Sequence, residues 1–75
     1  MRPEELMARI RTVLPDARVE LCGADCSFEL QVVSERFTGQ TQVARQRMLL
    51  GVFAAELSSG ALHALTIRAR TPTEL

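Results

Sequence analysis

Three short segments in which apolar and polar residues alternate constrain the fold of this chain more than any other feature. They cover residues 17–22, 27–33 and 65–70. Successive side chains of a strand point to opposite faces of a sheet, so each segment predicts a strand with one buried and one solvated face. A turn expected at Gly23-Ala24-Asp25 would join the first two strands as an antiparallel hairpin. Thr71-Pro72 ends the third strand, because proline cannot donate a hydrogen bond to a ladder.

Apolar residues at helical spacing predict a helix before the first strand. We expect it to begin at Pro3, a residue favoured at the first helical position, and to end at Leu14-Pro15-Asp16. The predicted core face consists of Leu6, Ile10, Val13 and Leu14, and the outward face includes Arg9 and Arg11.

A second helix is predicted between the second and third strands. Thr41 is expected to cap its start, the helix is expected to run to about Leu57, and Gly60 can take the left-handed conformation that closes a helix. On a helical wheel the predicted core arc is Val43, Leu50, Phe53, Ala54 and Leu57. Met48, Val52 and Ala55 fall on another side, where they either pack on the first helix, which we favour, or form a partner surface.

The order of these elements predicts a two-layer α+β sandwich. The second and third strands are separated by a helix, so a right-handed crossover would make them parallel neighbours, with the second strand in the centre. Each strand has one apolar face, and both helices must cover that face together. The face left open to water would carry Arg18, Glu20, Glu29, Gln31, Thr66, Arg68 and Arg70.

Length and composition predict one soluble globular domain over residues 1–75. A hydrophobic content of 47% with 24% charged residues argues against disorder, and a chain of 75 residues builds only a thin core. No apolar run approaches a membrane span and the first residues do not resemble a signal peptide, so we expect a cytoplasmic protein without a membrane partner. Nine basic and nine acidic residues balance, which gives no indication of a strongly basic nucleic-acid binder.

Several segments of the chain, in this order, resemble the BolA family. They are Val32-Val33-Ser34, Phe37-Thr38-Gly39, Val43-Ala44-Arg45-Gln46-Arg47, Leu62-His63-Ala64 and Thr71-Pro72. The resemblance covers nearly the whole chain and implies a class II KH-like α-β-β-α-α-β fold with a three-stranded mixed sheet and its helices on one face. Gln46 stands where many members have a histidine, so His63 is the only imidazole in the chain.

His63 lies on the predicted connection between a helix end and a strand start. From the residues alone, the simpler interpretation is a loop histidine that hydrogen-bonds a nearby carbonyl. The resemblance implies instead that His63 is a ligand of a [2Fe-2S] cluster shared with a monothiol glutaredoxin and its glutathione, and that the isolated protein does not hold this cluster. A neutral imidazole is a suitable iron ligand.

Cys22 and Cys26 lie on the predicted hairpin. Their spacing differs from the C-x-x-C of redox and zinc motifs, and buried small fillers are the simpler interpretation. The resemblance implies that a cysteine in this loop is the second cluster ligand, with Cys26 a better match than Cys22. A parallel third strand starts at the hairpin end of the second, so we expect Cys26 and His63 at one edge of the sheet.

Five arginines are candidates for nucleic-acid binding: Arg36, Arg45, Arg47, Arg68 and Arg70. A solvated surface is the simpler interpretation of such residues. A KH-type clamp needs a G-x-x-G loop, and neither Gly39 nor Gly60 is followed by the second glycine. The resemblance implies, as the alternative function, a DNA-binding transcriptional regulator of stress response and cell morphology. Without the clamp, its DNA binding would rest on phosphate contacts from arginine.

The sequence does not predict an enzyme. It has one histidine, no nucleophile beside a base in a known motif and no recognisable pair of catalytic acids. The resemblance implies an adaptor with a monothiol glutaredoxin as its principal partner and DNA as the alternative, and we expect a monomer alone or a weak homodimer.

Overall fold

The computed structural model describes residues 2–24 and 27–74. Within these residues the helices are α1 (Pro3–Val13), α2 (Gln42–Val52) and α3 (Ala54–Ser59), and the strands are β1 (Arg18–Ala24), β2 (Ser27–Val33) and β3 (Ala64–Arg70). Single 3-10 turns follow β2 at Glu35–Phe37 and β3 at Pro72–Glu74. Across the described residues, no helix combines the length and the apolar character that crossing a membrane requires.

The strands form one mixed sheet in the order β1-β2-β3. β1 pairs with β2 antiparallel, and β2 pairs with β3 parallel. At the centre of the sheet, Leu30 of β2 lies opposite Leu21 of β1 and Ile67 of β3. The predicted strand order and the parallel crossover are confirmed.

One face of this sheet is buried and the other is open. Phe28, Leu30, Val32, Ile67 and Ala69 are buried, and they pack with residues of the helices in a single core. The core residues from the helices and their ends are Leu6, Ile10, Leu14, Leu49 and Phe53. On the opposite face, Glu29 is half-buried and the other six residues predicted to be open are exposed. The predicted two-layer α+β architecture, with helices on one face, is confirmed.

The predicted core arc of the second helix is wrong at three positions. Val43 is 61% exposed and Leu50 is 37% exposed, and Ala54 is also exposed, whereas Leu49 is fully buried. The helix axis breaks at Phe53, so a wheel drawn without interruption to Leu57 misplaces the residues on both sides of the break. The inward face of α2 also contains a buried arginine, Arg45, which a search for apolar residues cannot assign to the core.

The first helix also departs from its predicted faces. Val13 is 39% exposed at the helix end, whereas Arg9, predicted to face outward, is half-buried against the break between α2 and α3. A guanidinium nitrogen of Arg9 donates a hydrogen bond to the carbonyl of Val52, the last residue of α2. The same group lies 2.7 Å from a carboxylate oxygen of Glu56 and 5.1 Å from the ring centre of Phe53. Arg9 thus supplies a donor for a helix-end carbonyl and joins α1 to α3.

The hairpin differs from the predicted turn, because β1 continues through Gly23 and Ala24. These residues pair with Phe28 and Ser27, and Asp25 of the predicted turn lies outside the described residues. Gly23 has a φ of 115°, in a region that residues with a Cβ rarely adopt. A Cβ at this position would lie 2.3 Å from the carbonyl oxygen of Ser27. Glycine is therefore required at position 23 by both its backbone conformation and its packing.

Two glycine substitutions should have opposite effects on stability. We expect Gly23→Ala to lower the free energy of unfolding by about 2 kcal/mol or more, because it adds backbone strain and a clash with main chain. Gly51 lies inside α2 with open space around its Cα, so Gly51→Ala should raise the free energy of unfolding by up to about 1 kcal/mol. Urea denaturation followed by circular dichroism measures both. A Gly23→Ala variant as stable as wild type would contradict the hairpin geometry.

Candidate functional site

His63 is an exposed residue on a connection that is fixed at both ends. On its N-terminal side, Gly60 ends α3 in the left-handed conformation, with a φ of 83°. Leu62 is then buried in the core, and its backbone N–H donates to the carbonyl of Glu56 at 3.1 Å. On the C-terminal side, β3 begins at Ala64. The imidazole is therefore accessible to a partner, while its backbone is held next to a buried leucine.

The connection is also supported from α1. Glu56 carries the carbonyl that binds Leu62, and its carboxylate pairs with Arg9. The hydrogen bond from Arg9 lowers the pKa of Glu56 from its ordinary value. Sequence reasoning missed this support, because Arg9 lies on α1 and Glu56 on α3, and no local pattern relates them.

The two cysteine candidates differ in what the structure describes. Cys26 lies outside the described residues. Cys22 is an exposed free thiol on the open face of β1, opposite Glu29 of β2. Ser27, the residue that follows Cys26, pairs in register with Ala64, the residue that follows His63. The described starts of β2 and β3 are therefore side by side, as the topology predicted.

A shallow depression of about 260 Å³ lies at this end of the sheet. Its lining residues are Cys22, Gly23, Ser27, Phe28, Glu29, Ala64 and Thr66. Cys22, Glu29 and Thr66 form one row across the open face, because they are register partners in neighbouring strands. Within residues 2–24 and 27–74, histidine, cysteine and acidic side chains form no group of three or more that could hold a metal ion.

Arg45 is buried and fully engaged, unlike the other candidate arginines. Only 4% of its side chain is exposed, and its guanidinium forms two hydrogen bonds with the carboxylate of Glu74, at 2.6 and 3.1 Å. It also donates to the carbonyls of Gln40 at 3.0 Å and Ala69 at 3.1 Å, and lies 5.6 Å from the ring centre of Phe37. Arg45 therefore joins α2 to β3 and to the final 3-10 turn, and its charge is not presented to solvent.

The remaining arginines do not form one surface. Arg68 and Arg70 are exposed on the open sheet face, where Arg68 lies 3.4 Å from the carboxylate of Glu29. Arg47 is exposed on α2, in the helical layer on the other side of the sheet, and Arg36 is exposed on the first 3-10 turn. Gln46, at the position where the resemblance expected histidine, donates its amide to the carbonyl of Ile67 at 2.6 Å.

The architecture described above defines a small two-layer α+β domain of the BolA type. A family model described as BolA-like protein matches residues 15–74, and the chain belongs to this family. Related chains support the assignment over nearly the full length. A protein of Acinetobacter guillouiae, described as an uncharacterized protein in the rpoN-murA intergenic region, is 35% identical over 74 residues, 99% of this chain and 89% of that protein. The acid stress protein IbaG of Escherichia coli is 27% identical over 74 residues, 99% of this chain and 88% of that protein.

Solved structures agree with the family assignment. BolA1 from Arabidopsis thaliana superposes with a TM-score of 0.87 at 26% identity and covers 100% of this chain and 96% of that one. The BolA domain of SufE1 from the same organism gives a TM-score of 0.85 at 30% identity, with 96% and 93% covered. In sequence, the match to SufE-like protein 1 of Arabidopsis thaliana is 46% over 48 residues, 64% of this chain but only 13% of that protein. The domain is thus also found as a small part of a longer chain.

Two alanine substitutions on α2 should differ in their effect on stability, because one replaces a buried arginine and the other an exposed arginine. We expect Arg45→Ala to lower the free energy of unfolding by about 2 kcal/mol, because it removes the donor to the carbonyl of Gln40, one of the two side-chain donors to the carbonyl of Ala69 and the guanidinium partner of Glu74. Arg47→Ala should change it by less than about 0.5 kcal/mol, since this side chain is solvated. Chemical denaturation of both variants measures the difference. Equal effects would contradict the buried placement of Arg45.

The Arg45–Glu74 pair should also make stability depend on pH. The hydrogen bond from Arg45, followed by that from the Thr71 N–H, lowers the pKa of Glu74 from 4.5 to about 2. Because the folded value is the lower one, the stabilisation is complete above pH 4.5 and is lost as the pH falls from 4.5 toward 2. Urea midpoints of wild type and Glu74→Gln should therefore converge over this range. A constant difference between the two from pH 6 to pH 2 would rule the linkage out.

Proposed function

We propose that this protein is an adaptor that pairs with a monothiol glutaredoxin and shares a [2Fe-2S] cluster with it. His63 would be the ligand from this chain, and the glutaredoxin cysteine and its glutathione would provide ligands from the partner side. The observation that carries this proposal is the exposed imidazole on an anchored connection at the start of β3. Membership of the BolA-like family supports the partner and cargo, because the family resemblance implies both.

The exposed side chain and anchored backbone of His63 suit a residue that ligates a metal centre bound to another protein. Its side chain is open to solvent, whereas Leu62 directly before it is 1% exposed and hydrogen-bonded to α3. An anchored backbone limits the conformational entropy that is lost when the imidazole binds iron. The side chain also has room to turn, because nothing in the described part of the chain buries it. This combination favours a ligand that completes a shared site.

The donor set of the chain fits a shared cluster better than a resident one. Imidazole nitrogen and cysteine thiolate are both established iron–sulfur ligands. The described residues offer one exposed imidazole and one exposed thiol, and form no three-residue group that could hold a metal. In the proposed complex, a docked partner provides the remaining ligands. When bound, the cluster would supply one-electron chemistry or an iron–sulfur unit for transfer, and His63 would hold it through a neutral imidazole nitrogen.

Cys26 is the proposed second ligand from this chain. It is bonded to Ser27, and His63 is bonded to Ala64, which is the register partner of Ser27. The two candidate ligands are thus attached to neighbouring strand starts. Cys22 is the less favoured alternative, because it lies on the open face of β1, two strands from β3.

The proposal predicts a histidine-dependent spectrum of the mixed complex. An anaerobic mixture of this protein, a monothiol glutaredoxin, glutathione and a cluster source should give a visible absorption and circular dichroism spectrum distinct from that of the glutaredoxin alone. His63→Ala should remove the difference, because one iron loses its imidazole ligand. Cys26→Ser should change the spectrum more than Cys22→Ser.

Two controls separate loss of the ligand from loss of the partner. Calorimetry with cluster-free glutaredoxin should give similar affinities for wild type and His63→Ala, since the substitution removes an exposed side chain and leaves the fold intact. Thr66→Ala, at an exposed position of β3 three residues after His63, is the control, and its mixed complex should retain the wild-type spectrum. A His63→Ala complex with a spectrum identical to wild type would show that His63 is not a ligand.

A further inference from the structure

The two edges of the sheet differ in how many of their main-chain groups accept hydrogen bonds from side chains. The outer edge of β3 is covered by side chains of α2. Gln46 donates to the carbonyl of Ile67 at 2.6 Å, and the carbonyl of Ala69 accepts from Gln42 at 3.3 Å and from Arg45 at 3.1 Å. Side-chain donors on an edge occupy the main-chain groups that another strand would need. The β3 edge is therefore closed to further strand pairing over these residues.

Among residues 2–24 and 27–74, no side chain donates to the outer edge of β1 in this way. The backbone N–H of Ser34 donates to the carbonyl of Arg70, so even-numbered positions at this end of β2 direct their main-chain groups toward β3. Odd-numbered positions of β2 then face β1, where Gln31 is paired with Glu20 and Val33 with Arg18. It follows that the main-chain groups of the intervening β1 residue, Val19, point outward.

The same alternation directs the main-chain groups of Leu21 to the outer edge. Among the described residues, no turn, loop or cap hydrogen bond reaches Val19 or Leu21. Both side chains are half-buried on the core face of the sheet. An uncovered edge of this kind is a template for a strand from another chain.

Charges beside this edge indicate which strand would fit. Arg18 and Glu20 are exposed on the open face, two positions apart, on either side of Val19. Neither belongs to an ion pair with another described residue. If two copies of β1 pair antiparallel with Val19 opposite Val19, position 18 of each copy lies opposite position 20 of the other. Each arginine then faces a glutamate. The edge is thus electrostatically complementary to itself.

We propose that the outer edge of β1 is a self-association surface, on which a second copy of this chain pairs its β1 antiparallel, with the two Val19 residues opposite each other. The outward N–H and C=O of Val19 would bond to those of the second copy. Arg18 of each copy would lie opposite Glu20 of the other, in a position where side chains of antiparallel strands approach closely. The product is a continuous six-stranded sheet with β3 at both outer edges.

The charges also select this register from its neighbours. Sliding the pairing so that Val19 faces Leu21 places the two Glu20 side chains opposite each other, and like charges in that position are destabilising. Centring the pair on Leu21 instead leaves Arg18 and Glu20 without an opposite charge. Only the register centred on Val19 forms two ion pairs. The paired segment is short, so we expect weak association that is detected at high protein concentration and falls with added salt.

The surface lies away from His63. β1 and β3 are at opposite edges of the sheet, so the connection that carries His63 would remain accessible on both outer strands of the dimer. Association through β1 is therefore independent of the proposed cluster role, and it is tested on the isolated protein without metal or glutaredoxin.

Charge reversal with the full chain tests the proposal. Sedimentation equilibrium at low salt should show a monomer–dimer equilibrium for wild type. Arg18→Glu alone or Glu20→Arg alone should lower the association constant by at least about tenfold, because each change turns two attractive pairs into two repulsive ones. An equimolar mixture of the two variants should restore association as a heterodimer, and the double variant should restore the homodimer. Glu4→Arg, at an exposed position on α1, is the matched control and should associate like wild type.

A backbone test uses the outward N–H of Val19. Val19→Pro removes this donor without removing a bond to β2, so the monomer should keep its circular dichroism spectrum while the dimer is lost. In wild type, hydrogen exchange at the amides of Val19 and Leu21 should slow as protein concentration rises, and that of Glu20 should not. The proposal is overturned if wild type remains monomeric up to its solubility limit, or if the dimer persists in both single reversals. Failure of the mixture to associate would also overturn it.

Discussion

Parallel pairing of β2 with β3 is the constraint on which the rest of this structure depends. Strands that run in the same direction cannot be joined by a tight turn, so the chain from Ser34 to His63 has to return along the sheet. Two helices and a 3-10 turn occupy that return, and together with α1 they cover the apolar face. The same return delivers His63 to the end of the sheet where the β1–β2 hairpin lies. The parallel pairing of β2 with β3 therefore has two results: helices cover the core, and His63 lies at the hairpin end of the sheet.

One buried and one half-buried arginine hold this thin layer of helices together. Arg45 ties α2 to β3 and to the final 3-10 turn, and Arg9 ties α1 to the break between α2 and α3. Both guanidinium groups lie over phenylalanine rings, so their planar faces are packed while their edges donate hydrogen bonds. In a domain with few apolar layers, such side chains fill volume and satisfy carbonyls at the same time.

The sheet was predicted well because the sequence pattern that indicates a strand lies within a few neighbouring residues. Alternation within seven residues identifies a strand face, and the helix between two strands fixes their relative direction. The helical layer was predicted less well, since the half-buried Arg9 and the buried Arg45 contact partners 43 and 29 positions away. Val43 and Leu50 were wrongly assigned to the core because the helical wheel assumed one continuous helix, whereas the helix breaks at Phe53. For the site, topology predicted where His63 would lie, and the structure adds the anchoring of Leu62 and Glu56 that no sequence pattern carries.

The short length of α3 has a consequence for dynamics. A helix of six residues is too short to be stable alone, so its order depends on Arg9, Phe53 and the bond between Leu62 and Glu56. Residues 54–63 should therefore open as one cooperative unit at a lower free energy than the sheet. A partner that binds the ordered form of this unit would suppress its opening. Protection of the amides in α3 would then report how tightly the connection beside it is occupied.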